Sequence, residues 1–101
     1  MAPRPELHQI LKDILGSDNV YFQPPASLRM LYPCIRYERD AMQIDHADDN
    51  PYMHRVRYLI TVIDQNPDST IHKGVANLPL CAYDRFYTAE NLNHDVYRLF
   101  F

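Results

Sequence analysis

Residues 53–64 read MHRVRYLITVID, and the alternation in this stretch decides the fold. Val56, Tyr58, Ile60 and Val62 recur at period two, the spacing that sends side chains to one face of a strand. The other face changes along its length: Arg55 and Arg57 come first, then Leu59, Thr61 and Ile63. Such a strand is expected to run from the centre of a sheet, at residues 58–63, into an exposed arm. Tyr52, His54, Arg55 and Arg57 lie along that arm.

Upstream, residues 33–44 also have strand character, with Ile35 and Tyr37 on one side and Cys34, Arg36 and Glu38 on the other. Met42 and Ile44 continue it weakly. Between the two strands lies DHADDNP, residues 45–51, the most acidic patch of the chain. It lacks the alternating oxygen ligands, central glycine and distal glutamate of a calcium loop, so no metal is expected there. Asp, Asn and Pro are turn residues, and the patch is expected to close the two strands into a long hairpin.

At the N-terminal end, Leu7, Ile10, Leu11, Ile14 and Leu15 keep the three-and-four spacing of an amphipathic helix over residues 5–15. Pro5 suits its first turn and Gly16 its end. His8 falls at the edge of the apolar stripe and reads as a boundary residue capping nothing. Val20, Tyr21 and Phe22, stopped by Pro24 and Pro25, form an edge or first strand. Residues 25–31 have no clear period and fit a helical turn or a loop.

Downstream, Ser69 or Asp68 can cap a short helix running to about Asn77, with Ile71, Val75 and Leu78 on its inner side. Gly74 weakens that helix by about 1 kcal/mol of propensity. Two closing strands are expected at 81–88 and 95–101, joined by the polar turn 89–94. Alternation puts Tyr83, Arg85 and Tyr87 on one side of the first and Asp84 and Phe86 on the other. In the second, Tyr97, Leu99 and Phe101 oppose Val96, Arg98 and Phe100. Phe101 implies a C-terminus tied into the sheet or a partner. The expected class is α+β: a mainly antiparallel sheet, an N-terminal helix and a second short helix on one face, and a long β-hairpin arm.

A chain of 101 residues cannot divide its core, so residues 1–101 form one domain. Its burial is modest, and a partner that covers more surface adds to a marginal stability. Eight tyrosines and no tryptophan suit half-buried sheets and subunit contacts alike. A net charge of -3 without any dense Lys/Arg run gives no general attraction to nucleic acid. Cys34 and Cys81 show no zinc spacing and read as buried thiols in a reducing compartment. The first residues lack the apolar core of a secretory signal, and no apolar run reaches the roughly 20 residues of a membrane span.

No sequence pattern supplies catalysis. GxSxG, HExxH and a phosphate-binding glycine loop are missing, and two glycines make a nucleotide cradle hard to build. A Cys/His dyad would need a cysteine outside apolar strand sequence. Asn93, His94 and Asp95 are accounted for by a hairpin turn. No catalytic residue, cofactor or metal is therefore expected. Asp84 and Arg85, set among Tyr83, Phe86 and Tyr87, are expensive to bury unpaired; they pair with neighbours or cross a subunit boundary. Arg55 and Arg57, with His54 and Tyr52, either keep a strand edge soluble or dock on an acidic neighbour.

Tyr32-Pro33-Cys34-Ile35 with Tyr37, Asn50-Pro51-Tyr52, Thr61-Val62-Ile63-Asp64 with Pro67-Asp68-Ser69, and the closing LPLCAYDRFYTAENLNHDVYRLFF resemble small tail-completion proteins of tailed bacteriophages. The likeness covers residues 32–101. The opening helix, Val20-Tyr21-Phe22 and the Pro-rich step into Tyr32-Pro33 are similar in outline to tail terminator proteins. The resemblance implies a structural virion protein of the neck, assembled in the bacterial cytoplasm. Six copies form a ring that ends the tail tube and joins it to the head connector; the partners are the tube and connector proteins. DNA passes through the lumen without specific binding, which an acidic chain suits, with Asp45, Asp48 and Asp49 as candidate lumen residues. Tyr52, His54, Arg55, Arg57, Asp84, Arg85, Tyr87 and Phe101 are the expected contact residues. The alternatives are a head completion or stopper protein of the neck, or a small cytoplasmic enzyme or ligand-binding domain.

Overall fold

The computed structural model describes residues 4–47, 50–66, 68 and 70–101, with residues 43–47 and 50–55 described by their backbone alone. In it the alternating stretch is β3 (Asn50–Asp64), the middle strand of a five-stranded sheet. Around it the chain runs α1 (Arg4–Leu15), β1 (Val20–Phe22), β2 (Cys34–Ala47), β3, α2 (Ile71–Ala76), β4 (Cys81–Ala89) and β5 (Leu92–Phe100). The spatial order is β1, β2, β3, β5, β4. This is the expected α+β architecture.

One pairing departs from the short-turn rule: β1 lies parallel to β2, with Val20 opposite Ile35 and Phe22 opposite Tyr37. The long connection 23–33 makes this possible, since a parallel neighbour needs a crossover of about a dozen residues. The other pairs are antiparallel. Because β5 inserts between β3 and β4, it is β5, and not β4, that extends the central sheet, and β4 is left on the rim.

Both helices cover one face. Leu7 and Leu11 of α1 and Val75 of α2 meet Ile35, Tyr37, Val56, Tyr58, Ile60, Val62, Tyr97 and Leu99 of the sheet, all buried. Gly16 ends α1 as expected, with φ at 78° and its amide donating to the Lys12 carbonyl at 2.8 Å. The N-cap of α2 is Thr70, whose side chain makes no capping bond. Asp68 does not cap: its amide donates to Asn66 Oδ1 at 3.0 Å, and Ser69 lies outside the described residues.

Gly74, read from the sequence as a weakness, sets the spacing of the helices. A Cβ there would stand 2.7 Å from Ile14 Cγ2, a methyl on a side chain whose χ1 is stiff in a helix. Gly74→Ala should therefore cost up to about 2 kcal/mol despite its better propensity, and in an Ile14→Ala background it should stabilise by about 1 kcal/mol. Urea titration of the four proteins of this cycle tests the contact; equal effects in both backgrounds would show that the helices do not touch there.

His8 is at the edge of the stripe, as read, but it does have a partner. Its Nδ1 lies 2.7 Å from the Tyr37 hydroxyl, to which Arg4 also donates at 3.1 Å. The arginine occupies the phenol oxygen, so the phenol proton goes to an unprotonated Nδ1. Burial, then the charges of Lys12 and Arg4, hold His8 below its ordinary pKa of 6.5. The unfolded chain takes up this proton first as pH falls, so stability is complete above about 6.5 and declines from there toward the lower native value. The urea midpoint should drop between about pH 7.5 and pH 5, and drop less in His8→Gln; an equal drop in both would remove His8 as the cause.

The arm is present in the backbone. β3 pairs with β5 only from Arg57 onward, while β2 and β3 stay paired out to Ala47 and Asn50. Residues 41–47 and 50–56 therefore project as a two-stranded ribbon about 20 Å long, and the molecule measures 51 × 26 × 23 Å. The connection is tighter than the 45–51 turn expected. Pro51 sits beside a register shift between Asp45 and His46, the kind of place where a strand tolerates proline. The second hairpin is also tighter than read: Ala89 pairs with Leu92, leaving Glu90 and Asn91, at φ 53° and 61°, as a two-residue turn.

Candidate assembly surface

On the face opposite the helices, two bulges decide where the charges go. Asp40 is the extra residue of β2 between Arg39, which pairs with Tyr58, and Ala41, which pairs with Arg57. Asp84 is the extra residue of β4 between Tyr83, opposite Tyr97, and Arg85, opposite Val96. A bulge adds one residue to one strand and re-aims its side chain. Both aspartates are thereby turned toward the two central strands. Asp40 Oδ2 takes Arg57 Nε at 2.7 Å and Arg98 Nη1 at 2.6 Å. Arg98 Nε also reaches Asp84 Oδ1 at 3.5 Å. The other oxygen of Asp84 is shut off from solvent, and its nearest cation is the Arg85 guanidinium at 3.9 Å. One ladder of charges thus crosses β2, β3, β5 and β4.

The bulge at Asp84 also overturns the simple alternation expected for β4. Tyr83 and Phe86, opposite Tyr97 and Asp95, share the helix-covered side, whereas Arg85 and Tyr87, opposite Val96 and His94, share the open side. Tyr83 meets Tyr97 edge-on at 5.2 Å between ring centres, and Tyr87 stacks on His94 at 4.5 Å and 12°. Even so, Tyr83 remains 55% exposed, Phe86 52% and Tyr87 40%. Leu80, just before the strand, is 61% exposed and held at φ 59°, a conformation that leucine adopts at a cost. Among the described residues nothing pairs with the outer edge of β4, so an apolar patch borders a row of open backbone groups.

The expected contact residues divide. Tyr52, His54 and Arg55 belong to the ribbon section of β3, and their side chains lie outside the described residues, as does that of Asp45; Asp48 and Asp49 are outside altogether. Arg57 lies where β5 begins to pair with β3, opposite Phe100 and at the base of the ribbon, and Asp40 holds its guanidinium. Asp84 and Arg85 are paired within the chain, the first of the two options their burial left open. Arg85 and Tyr87 belong to the exposed rim, with the guanidinium 5.8 Å from the Tyr87 ring. Phe101 packs against the chain's own core, and its amide donates to the Val56 carbonyl at 3.1 Å. Sequence reasoning passed over Leu80, Tyr83 and Phe86 as contact residues. It also missed Leu28, Leu31 and Tyr32, exposed by 44%, 64% and 39% on the connection before β2.

Neither models of known protein families nor characterised protein sequences give a match to this chain.

The chemistry available elsewhere is slight. Two larger clefts, about 510 Å³ beside Lys12 and Asp18 and about 490 Å³ beside Thr88 and Glu90, are open surface depressions; the cleft between Asp64, His72, Phe86 and Asp95 holds only about 110 Å³, below the roughly 300–1,000 Å³ of small-molecule sites. Its carboxylates are engaged: Asp64 Oδ1 accepts the Asn66 amide at 2.9 Å, and Asp95 Oδ1 accepts the Tyr83 hydroxyl at 3.4 Å. Both cysteines are free. Burial pushes the Cys34 thiol up to about 12, far from the thiolate a nucleophile requires. Cys81 is only half-buried, and burial raises its thiol as well. The two cysteines stand on strands three spacings apart and are offset by five residues in register, Cys34 opposite Ile63 and Cys81 level with Tyr58, so they are on the order of 20 Å apart, too far for a disulfide. No helix among the described residues is long and apolar enough to cross a membrane.

Proposed function

We propose that this chain is a structural subunit of the neck of a tailed bacteriophage, a tail terminator whose ring ends the tail tube and seats it on the head connector. The observation that carries an assembly role is β4: a nine-residue rim strand with three aromatic side chains half in water. A monomer gains nothing from such an edge and risks aggregation through it, whereas a subunit buries it against a neighbour. The projecting ribbon gives a second element for contact with a tube or connector protein. The resemblance of residues 32–101 to tail-completion proteins directs this general role to the neck. A net charge of -3 suits a conduit in which DNA must slide without being held.

Light scattering or native mass spectrometry at assembly concentrations should find a closed ring, alone or in the presence of tube protein. A chain that stays monomeric in both conditions would overturn the proposal. Deletion of the gene should leave tails of uncontrolled length or tails unjoined to heads. Leaking heads beside normal tails would assign the chain to the stopper role instead.

A further inference from the structure

We infer that His8 and the Tyr37 hydroxyl form an acid-sensitive latch: protonation of the imidazole lets α1 come away from the sheet while the sheet itself stays folded. The latch is independent of the assembly role above.

Its basis is a count of protons at one phenol. Among the described residues, the side-chain hydrogen bonds from α1 to the sheet both end on Tyr37: Arg4 Nη1 donates to the phenol oxygen at 3.1 Å, and His8 Nδ1 lies 2.7 Å from it. Arg4 is held there by the Phe22 ring, whose centre is 4.3 Å from its guanidinium. Burial raises the Tyr37 phenol above its ordinary range, so it keeps its hydrogen at neutral and acid pH and gives it to the lone pair of Nδ1. A proton taken up by the imidazole lands on that same lone pair. The phenol oxygen then faces two cationic donors, and the phenol hydrogen, beside the rings of Phe22 and Tyr58, has no acceptor among the described residues.

Nothing around His8 offsets the new charge. On α1 itself, Arg4 and Lys12 stand one turn to either side of His8 on the same face. The titratable groups that the packed elements bring to this face are Tyr37 and Arg39 of β2, Tyr58 of β3, and His72 and Lys73 of α2, while Tyr21 of β1 packs on the other side of the sheet. None is a carboxylate. Glu38 alternates to the open face, where Asp40 is taken by Arg57 and Arg98. On the helix, Glu6 is exposed and Asp13 accepts from Gln9 at 3.0 Å.

The fold also gives α1 a way to open alone. Its buried side chains are Leu7 and Leu11, and it contributes no backbone bond to the sheet ladder. Its end turns at Gly16, where an added Cβ would meet nothing within 4 Å, and the Lys12–Asp18 pair that spans this turn is exposed. Release of the helix therefore breaks no strand pairing.

Hydrogen exchange of the full chain, read by mass spectrometry and corrected for the intrinsic effect of pH, tests the latch between about pH 7.5 and pH 5. The opened helix binds the proton as an ordinary histidine does, and the closed one binds it more weakly. Opening of residues 8–15 should thus grow as pH falls below about 6.5, by up to about tenfold per pH unit, and level off below the native value. Residues 58–63 should keep their protection. In His8→Gln the acid response of α1 should vanish. Tyr37→Phe keeps the ring, and its helix should already be looser at neutral pH and respond less to acid. Exchange that rises equally at 8–15 and 58–63 would show unfolding of the whole chain and overturn the latch. An acid response of α1 that survives in His8→Gln, or is unchanged in Tyr37→Phe, would overturn it as well.

Discussion

Tyr37→Ala should lower the unfolding free energy by about 3–5 kcal/mol, the range for deleting a buried aromatic side chain. Tyr37 is fully buried and stands where α1, β1 and β3 converge. Its ring lies 5.0 Å from Phe22, 5.9 Å from Tyr58 and 5.7 Å from His8. Its hydroxyl is engaged by both Arg4 and His8, and Arg4 also caps the Phe22 ring at 4.3 Å. Truncation removes the wedge between helix and sheet and frees two polar groups together. Domains of this kind hold about 5–15 kcal/mol, so the variant should melt roughly 15–30 °C lower or not fold at all. Tyr37→Phe keeps the ring and should lose only about 1–2 kcal/mol, the cost of the hydroxyl and its stranded partners. Urea and thermal unfolding followed by circular dichroism separate the two. A loss near 1 kcal/mol in Tyr37→Ala would mean that the helix does not depend on this ring.

Period was the legible part of the fold. Val56, Tyr58, Ile60 and Val62 keep strict alternation because β3 is flanked on both sides and has no irregularity from Val56 to Asp64. Leu7 and Leu11 keep helical spacing because a single sheet face receives them. Partner choice was not legible. Nothing in residues 81–101 states that β5, rather than β4, lies against β3, since both alternate and both have the composition of strands. The parallel pairing of β1 depends on where an aperiodic connection leads, which its own residues do not encode.

The candidate surface was half legible, and the unread half has one cause. A bulge shifts the face of every later residue by one position without changing composition, so YDRFY looks like unbroken alternation. Read that way, Tyr83, Arg85 and Tyr87 share one side and Asp84 and Phe86 the other; with Asp84 as the extra residue, Tyr83 and Phe86 share one side and Arg85 and Tyr87 the other. Asp40 does the same in β2: Ile35 and Tyr37 face the core, and after the bulge it is Met42 that pairs with Val56. In both strands the inserted residue is an aspartate, and Arg98, placed between them, contacts both.

Arg98 should be the most sensitive charge in the molecule. It touches both bulge aspartates, at 2.6 Å and 3.5 Å, and its own side chain is 38% exposed. Exposed pairs contribute about 0–1 kcal/mol, and breaking a buried pair costs about 3–5, so Arg98→Met should fall between them at about 2 kcal/mol. Asp84 suffers most, because its Oδ1 loses Arg98 while its inaccessible Oδ2 already has only the distant Arg85. Asp84→Asn should recover about 1 kcal/mol in the Arg98→Met background and cost stability in the wild type, a coupling that a double-mutant cycle in urea measures directly. Arg57→Met should lose only about 1 kcal/mol, since Asp40 keeps Arg98. Additive effects at positions 84 and 98 would reduce the ladder to surface decoration. The same geometry separates two residues that the sequence had grouped: Arg57→Glu would set a carboxylate against Asp40 and weaken the fold itself, so a failure to assemble in that variant carries no information about contact. Arg55→Glu, in the ribbon section that β5 does not reach, is the substitution that tests the arm.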